Sequence, residues 1–140
     1  MSDEELTVAE INRLREAFAG VPFANLLGIR FGTARRGSAT LYMDMRTEIG
    51  RMEGIMHGGA IASLIDTASA FAVLSLLTPA QRTMTVDLTI HYLRPITHGR
   101  AEAHARVLRA GRRLVSVSVD VTAGEGALVA TALTTYVIQH

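Results

Sequence analysis

The chain has 140 residues, a length that suits one domain, and a nearly balanced charge in which 14 arginines face 13 acidic side chains for a net +1. That balance excludes a general nucleic-acid binder, whose phosphate contacts need a clear cationic excess. Neither Cys nor Lys occurs, which excludes disulfides, thiolate metal sites, cysteine nucleophiles, Schiff-base chemistry and a P-loop lysine.

The start, Met1-Ser2-Asp3-Glu4-Glu5, is acidic and lacks the cationic-then-apolar order of a secretion signal, so a cytoplasmic location is expected. Thr7 to about Ala19 reads as a helix: Thr7 and Glu10 form a capping box, Val8, Ile11, Leu14 and Phe18 make one apolar stripe, and Gly20 and Pro22 stop it. Pro22–Leu27 reads as one further short helical turn. Alternating residues predict a hairpin, Ile29–Arg35 with Ser38–Met45, turned at Arg36-Gly37. A loop over Arg46–Met56 leads to a long helix from about His57 to Leu77, ended by Thr78-Pro79.

Within that helix Ala60–Leu77 is apolar but carries Asp66 at its middle, which fits a buried helix better than a membrane span. Four strands follow: Arg82–Leu93, Gly99–Arg109, Arg112–Ala123 and Ala127–Gln139. In the first of them Met84, Val86, Leu88, Ile90 and Tyr92 alternate as an apolar face against Thr83, Thr85, Asp87, Thr89 and His91. Short turns require antiparallel pairing. The expected architecture is a single α+β domain, with one antiparallel sheet of about six strands wrapped around a long central helix.

The sharpest local feature is Gly54-Ile55-Met56-His57-Gly58-Gly59 opening the long helix, with Asp66 nine residues beyond His57. Backbone N–H groups in a first helical turn lack intrahelical partners, and side-chain-free glycines let a ligand oxygen reach them, as in an oxyanion hole. The same glycines would also suit close packing or a bend. Aspartate is a poor mid-helix residue, rarely buried without a partner. It fits a general base or nucleophile tuned by partial burial, and equally a carboxylate bonded to Ser or Thr neighbours. Along the helix, Gly59, Ala62, Ser63, Asp66, Ser69 and Ala70 form a face of small residues.

Nine helical residues rise about 13.5 Å and end half a turn out of phase. His57 and Asp66 therefore share a site only if a second copy supplies one of them, as in a two-fold dimer with antiparallel central helices. Between Arg82 and Arg113 seven arginines (82, 94, 100, 106, 109, 112 and 113) face only Asp87 and Glu102. That cationic excess suits either a phosphate-bearing ligand or a solvated surface. His91, His98 and His104 show no metal-ligand spacing, and no metal is expected.

The run Gly54–Asp66, with Thr85-Val86-Asp87-Leu88, Tyr92-Leu93-Arg94-Pro95 and Arg109-Ala110-Gly111-Arg112, resembles the hotdog-fold acyl-CoA thioesterases of the PaaI-like, phenylacetate-pathway type. The likeness covers about residues 25–139. It implies hydrolysis of an acyl-CoA at a dimer interface, with coenzyme A part of the substrate and no separate cofactor. Asp66 would activate water or attack the thioester, and Gly58 of the partner chain would offer its N–H to the thioester oxygen. His57 would hold that loop, and Thr85 would orient the water. Gly59 would lie against the substrate; Arg94, Arg109, Arg112 and Arg113 would meet the nucleotide part.

Where the family often has Asn or Gln near the leaving sulfur, this chain has Arg51. The resemblance further implies a homodimer at minimum and a homotetramer as the expected assembly, with no membrane or nucleic-acid partner. Two other activities share such a fold: an enoyl-CoA hydratase or dehydratase, and a non-catalytic acyl-CoA binding module. Met52, Met56 and Met84 are expected as flexible fillers of the acyl pocket.

Overall fold

The structure is a computed structural model and describes residues 4–140; Met1, Ser2 and Asp3 of the acidic start lie outside the described residues. In chain order it runs α1 (Val8–Ala19), α2 (Pro22–Leu27), β1 (Ile29–Arg35), β2 (Ser38–Asp44), β3 (Gly50–Arg51), β4 (Ile55–Met56), α3 (Gly58–Leu74), β5 (Arg82–Tyr92), β6 (Arg100–Ala110), β7 (Leu114–Ala123) and β8 (Ala127–Gln139). Six strands form one antiparallel sheet in the order β1-β2-β6-β7-β8-β5, and α3 packs across one face of it, touching all six strands. This is the expected helix-in-sheet architecture. Among the described residues no helix is long and apolar enough to cross a membrane.

Strand alternation builds the core. Ala101, Ala103, Ala105 and Val107 of β6, with Val115, Val117, Val119 and Val121 of β7, are each 2% exposed or less. The β6 alanines let the α3 backbone approach, while each buried valine contributes about 1.5–3 kcal/mol. From α3, Leu64, Ile65, Ala68 and Ala72 fill the space between.

The capping box of α1 forms, with Glu10 N donating to Thr7 Oγ1 at 3.1 Å and Thr7 N to Glu10 Oε1 at 2.9 Å. Leu14 and Phe18 bury the helix, Phe18 meeting Phe31 and Phe71 edge-on at 5.7 and 5.5 Å between ring centres. Val8, expected on that stripe, is instead 76% exposed, because the stripe meets the core only from Ile11 onward. Arg36 in the β1–β2 turn donates to both Glu10 oxygens at 3.0 and 3.2 Å and ties α1 to the sheet.

Three further expectations need correction. The long helix ends at Leu74, not Leu77: Leu76 N donates to Val73 O at 2.9 Å and Leu77 N to Leu74 O at 3.1 Å, so the chain tightens from α to 3₁₀ bonding. Ser75 Oγ donates to Ala72 O at 2.6 Å and accepts Gly37 N at 2.7 Å, anchoring the hairpin turn. The segment 46–56 is not a plain loop but two 3₁₀ turns, Thr47–Ile49 and Met52–Gly54, alternating with the two-residue strands β3 and β4. Third, Met84 and Val86 do not share a face with Leu88, Ile90 and Tyr92. A bulge between Thr85 and Asp87 inserts one residue into β5. Thr85 faces inward opposite Tyr136, Leu88 faces inward opposite Thr134, and Met84 and Val86 stay about half exposed.

Candidate active site

The N-terminus of α3 is held from both sides. Met56 N donates to Ile96 O at 2.7 Å and His57 N to Ile49 O at 2.8 Å, so the chain enters the helix along a fixed line. His57 is the N-cap residue, and its ring Nδ1 accepts Gly59 N–H at 2.8 Å. A Cβ on Gly59 would lie 2.9 Å from that nitrogen, so the bare glycine is what lets the ring sit there.

The expectation for the glycine pair therefore divides. Gly59 has its N–H occupied by the cap and cannot offer it to a ligand, whereas no acceptor among the described residues takes the N–H of Gly58. The Gly58 carbonyl accepts the Tyr92 hydroxyl at 2.8 Å, a phenol pushed above its usual range by burial. Arg51, Met56, Gly58, Tyr92 and Arg94 border a shallow cleft of about 310 Å³ at this helix end.

Asp66 lies two turns further along α3 and is half-buried. Its Oδ1 accepts the Thr85 hydroxyl at 2.8 Å and also the Tyr136 hydroxyl, and Tyr136 additionally donates to the Asp66 backbone oxygen at 2.6 Å. Burial first, then the bond to Asp66, hold the Tyr136 phenol far above its usual range, so it remains a donor at every pH of turnover. Asp66 opens onto a larger cleft of about 820 Å³ between α1, α3 and β5, floored by Leu14, Ala17, Phe71, Leu74 and Met84.

One protomer does not assemble all of these groups. Gly58 and Asp66 are separated by about 12 Å of helix rise and open onto different clefts. His57, Gly58, Arg51 and Arg94 sit at the Tyr92 end of β5; Asp66 and Thr85 sit toward its Arg82 end. Arg112 and Arg113 are exposed in the β6–β7 turn, also at the Arg82 end, where Ile138 N donates to Arg113 O at 2.7 Å. Arg109 stands beside them, its guanidinium over Gly111. Of the three expected methionine fillers only Met84 lines the Asp66 cleft; Met56 is buried at the wall of the smaller cleft, and Met52, 81% exposed, lies outside both.

On the small α3 face the Ser63 hydroxyl turns back to Gly59 O at 2.8 Å while Ser69 Oγ accepts the Thr134 hydroxyl at 3.1 Å, and Thr67 beside the face donates to Ser63 O at 2.7 Å. The structure also adds one residue that sequence reasoning missed. Tyr136 left only a faint signal: an inward position on β8 after Ala130, Ala132 and Thr134, where a buried phenol needs an acceptor.

The profile of the thioesterase superfamily matches residues 53–130, more than half of the chain, and the match spans the helix opening, Asp66 and β5. The sequence is 33% identical over 136 residues to a protein of Saccharolobus solfataricus that bears an esterase name, covering 95% of this chain and 86% of that one. It is 27% identical to the medium/long-chain acyl-CoA thioesterase YigI of Escherichia coli K12, over 84% of this chain and 86% of that protein. In fold it is similar to the E. coli PaaI protein of the phenylacetic acid degradation operon, with a TM-score of 0.86 at 22% identity and 94% of each chain covered.

Proposed function

We propose, for a chain that belongs to the thioesterase superfamily and is a thioester hydrolase, that its substrate is an acyl-CoA and that two protomers share each site. The observation that supports this best is the placement of two hydroxyls on β5: Thr85 holds Asp66 near one end and Tyr92 holds Gly58 near the other. β5 is an edge strand, bonded only to β8 among the described residues, and Met84, Val86 and Leu93 are exposed along it. An edge of this kind invites a second copy. Antiparallel pairing about a two-fold near Leu88 and Thr89 lays Thr85 beside the partner's Tyr92. Asp66 then approaches the partner's Gly58, and the partner's Arg94 approaches the turn carrying Arg112 and Arg113.

In such a site the acyl group lies in the Asp66 cleft, whose apolar floor suits medium-length or aromatic chains. The arginines at the sheet end take the phosphates of the coenzyme A portion. The thioester oxygen meets the partner's Gly58 N–H at the positive end of α3. Asp66 then removes a proton from water as the water oxygen bonds to the carbonyl carbon. The tetrahedral adduct collapses, the C–S bond breaks, and the thiolate takes up the proton to leave a free acid and coenzyme A. Alternatively the carboxylate itself adds to the carbonyl carbon and expels the thiolate, and water opens the resulting mixed anhydride. Exposed Leu114 and Leu133 on the outer face of the sheet offer a surface on which two dimers would pair into the tetramer.

The test is a panel of acyl-CoA esters with free-thiol detection, run on the native protein and on Asp66→Asn. The amide keeps an acceptor for Thr85 and Tyr136, so the variant should remain a folded dimer while hydrolysis falls by about 10²–10⁴. Retained turnover would end the assignment, and hydration of a crotonyl thioester without thiol release would redirect it to a hydratase.

A further inference from the structure

The two oxygens of the Asp66 carboxylate have different surroundings. Oδ1 takes both donors, Thr85 and Tyr136. No donor reaches Oδ2 among the described residues, and no buried side-chain oxygen is left without a partner, so Oδ2 must be the atom open to the cleft. The clamp comes from three elements at once: Asp66 from α3, Thr85 from β5 and Tyr136 from β8. Thr85 and Tyr136 are direct cross-strand partners on the inner face, which sets the carboxylate astride the pair. Tyr136 is 1% exposed, and its hydroxyl grips both the side chain and the backbone oxygen of Asp66. A phenol that bonds one residue twice fixes where that residue points.

We propose that Tyr136 is the positioning residue of the reaction: with Thr85 it locks Oδ1 and leaves Oδ2 as the single oxygen that takes the proton from water or attacks the thioester. This rests on the reading of Asp66 as the acting carboxylate. Tyr136 touches no substrate; its effect passes through the orientation and charge of Asp66. The charged and titratable groups facing Asp66 are few. Among the described residues Arg13 on α1 and Arg82 on β5 line the same cleft, β8 contributes Tyr136 alone, and α3 contributes none besides Asp66. The partner's His57 would stand across the shared thioester.

Tyr136→Phe keeps the ring and removes only the donor. A carboxylate freed of that donor is no longer held with Oδ2 toward the substrate, so kcat should fall about tenfold while KM changes little. Thr85→Val should lower kcat in the same way from the other side of Oδ1. Val117→Ala, a core truncation away from the carboxylate, should lower the melting temperature and leave kcat in place. An inactive Asp66→Asn beside a Tyr136→Phe with native kcat would overturn the role of Tyr136 alone. Full turnover by Asp66→Asn would overturn the site reading and this role with it.

Discussion

Gly58→Pro deletes the one atom to which the proposed site assigns oxyanion binding, at a position where proline costs little. Gly58 is the first residue of α3, the helical position proline favours, and its N–H has no acceptor to lose. The preceding His57 has φ −64° and ψ 135°, the extended backbone required before proline. A Cβ at Gly58 would meet the Tyr92 ring at 3.5 Å, an ordinary contact. Stability should thus stay level or rise by about 0.4–1 kcal/mol from the stiffer unfolded chain. Loss of an oxyanion donor costs about 10²–10³ in kcat, or about 2.7–4 kcal/mol of transition-state stabilisation. Gly58→Ala, which adds the same Cβ but keeps the N–H, should lose far less.

Mixing then tests whether the site is shared. A heterodimer of Gly58→Pro with Asp66→Asn has one site with both native groups and one with neither. Random exchange makes about half of the dimers mixed, with half of their sites intact, so activity should return to about a quarter of the native value. Thiol release by each variant and by the refolded mixture measures all three numbers. A Gly58→Pro enzyme with near-native kcat would refute the oxyanion role, and a mixture no better than its components would refute the shared site.

Two further outcomes follow from the surface. Val86→Glu places a charge on the exposed β5 edge, harmless to a lone protomer but buried and unpaired if two edges meet. An interface charge of that kind costs about 2–5 kcal/mol, so sedimentation should show dissociation to monomers, and specific activity should fall on dilution; an unchanged dimer would remove β5 from the interface. Acid should also loosen α1, one wall of the acyl cleft. Arg36 first, and the Thr7 backbone N–H second, lower the Glu10 carboxyl from 4.5 to about 2. A group depressed in the folded state stabilises it above the unfolded value and loses that contribution as pH falls. The stability gap between native protein and Glu10→Gln in urea unfolding should be full above about pH 4.5 and close as pH falls to about 2; parallel curves would refute the anchor.

Much of this molecule was legible before its structure. The alternation over Ile29–Arg35 and Ser38–Met45 announced the first hairpin, and Thr7 with Glu10 announced a helix start, because both signals depend on near neighbours. His57, Gly58 and Asp66 stood out because glycines and a carboxylate sit badly in an apolar helix without a reason. What stayed hidden depends on distant partners. That Gly59 surrenders its N–H to His57 follows from a ring rotamer. Tyr136 meets Asp66 across 70 positions of chain, and only the pairing of β5 with β8 brings them together. The tightening of the chain to 3₁₀ bonding after Leu74, where Ser75 also receives the turn at Gly37, is encoded by no helix signal.

The bulge in β5 is the largest of these omissions and the one on which the site depends. Thr85 and Tyr92 are seven positions apart, and on a regular strand an odd separation puts two side chains on opposite faces. One hydroxyl would then point to solvent, leaving Asp66 without its Thr85 donor or Gly58 without its Tyr92 donor. The extra residue between Thr85 and Asp87 reverses the alternation midway, so both hydroxyls reach α3 from the same face. The exposed Val86 is thus the consequence of aiming two polar side chains at two points on one helix. Period-two reading assigns Val86 to the core and Thr85 to water; the opposite assignment holds because the sheet gives up one regular step to present a carboxylate and a backbone N–H from the same edge.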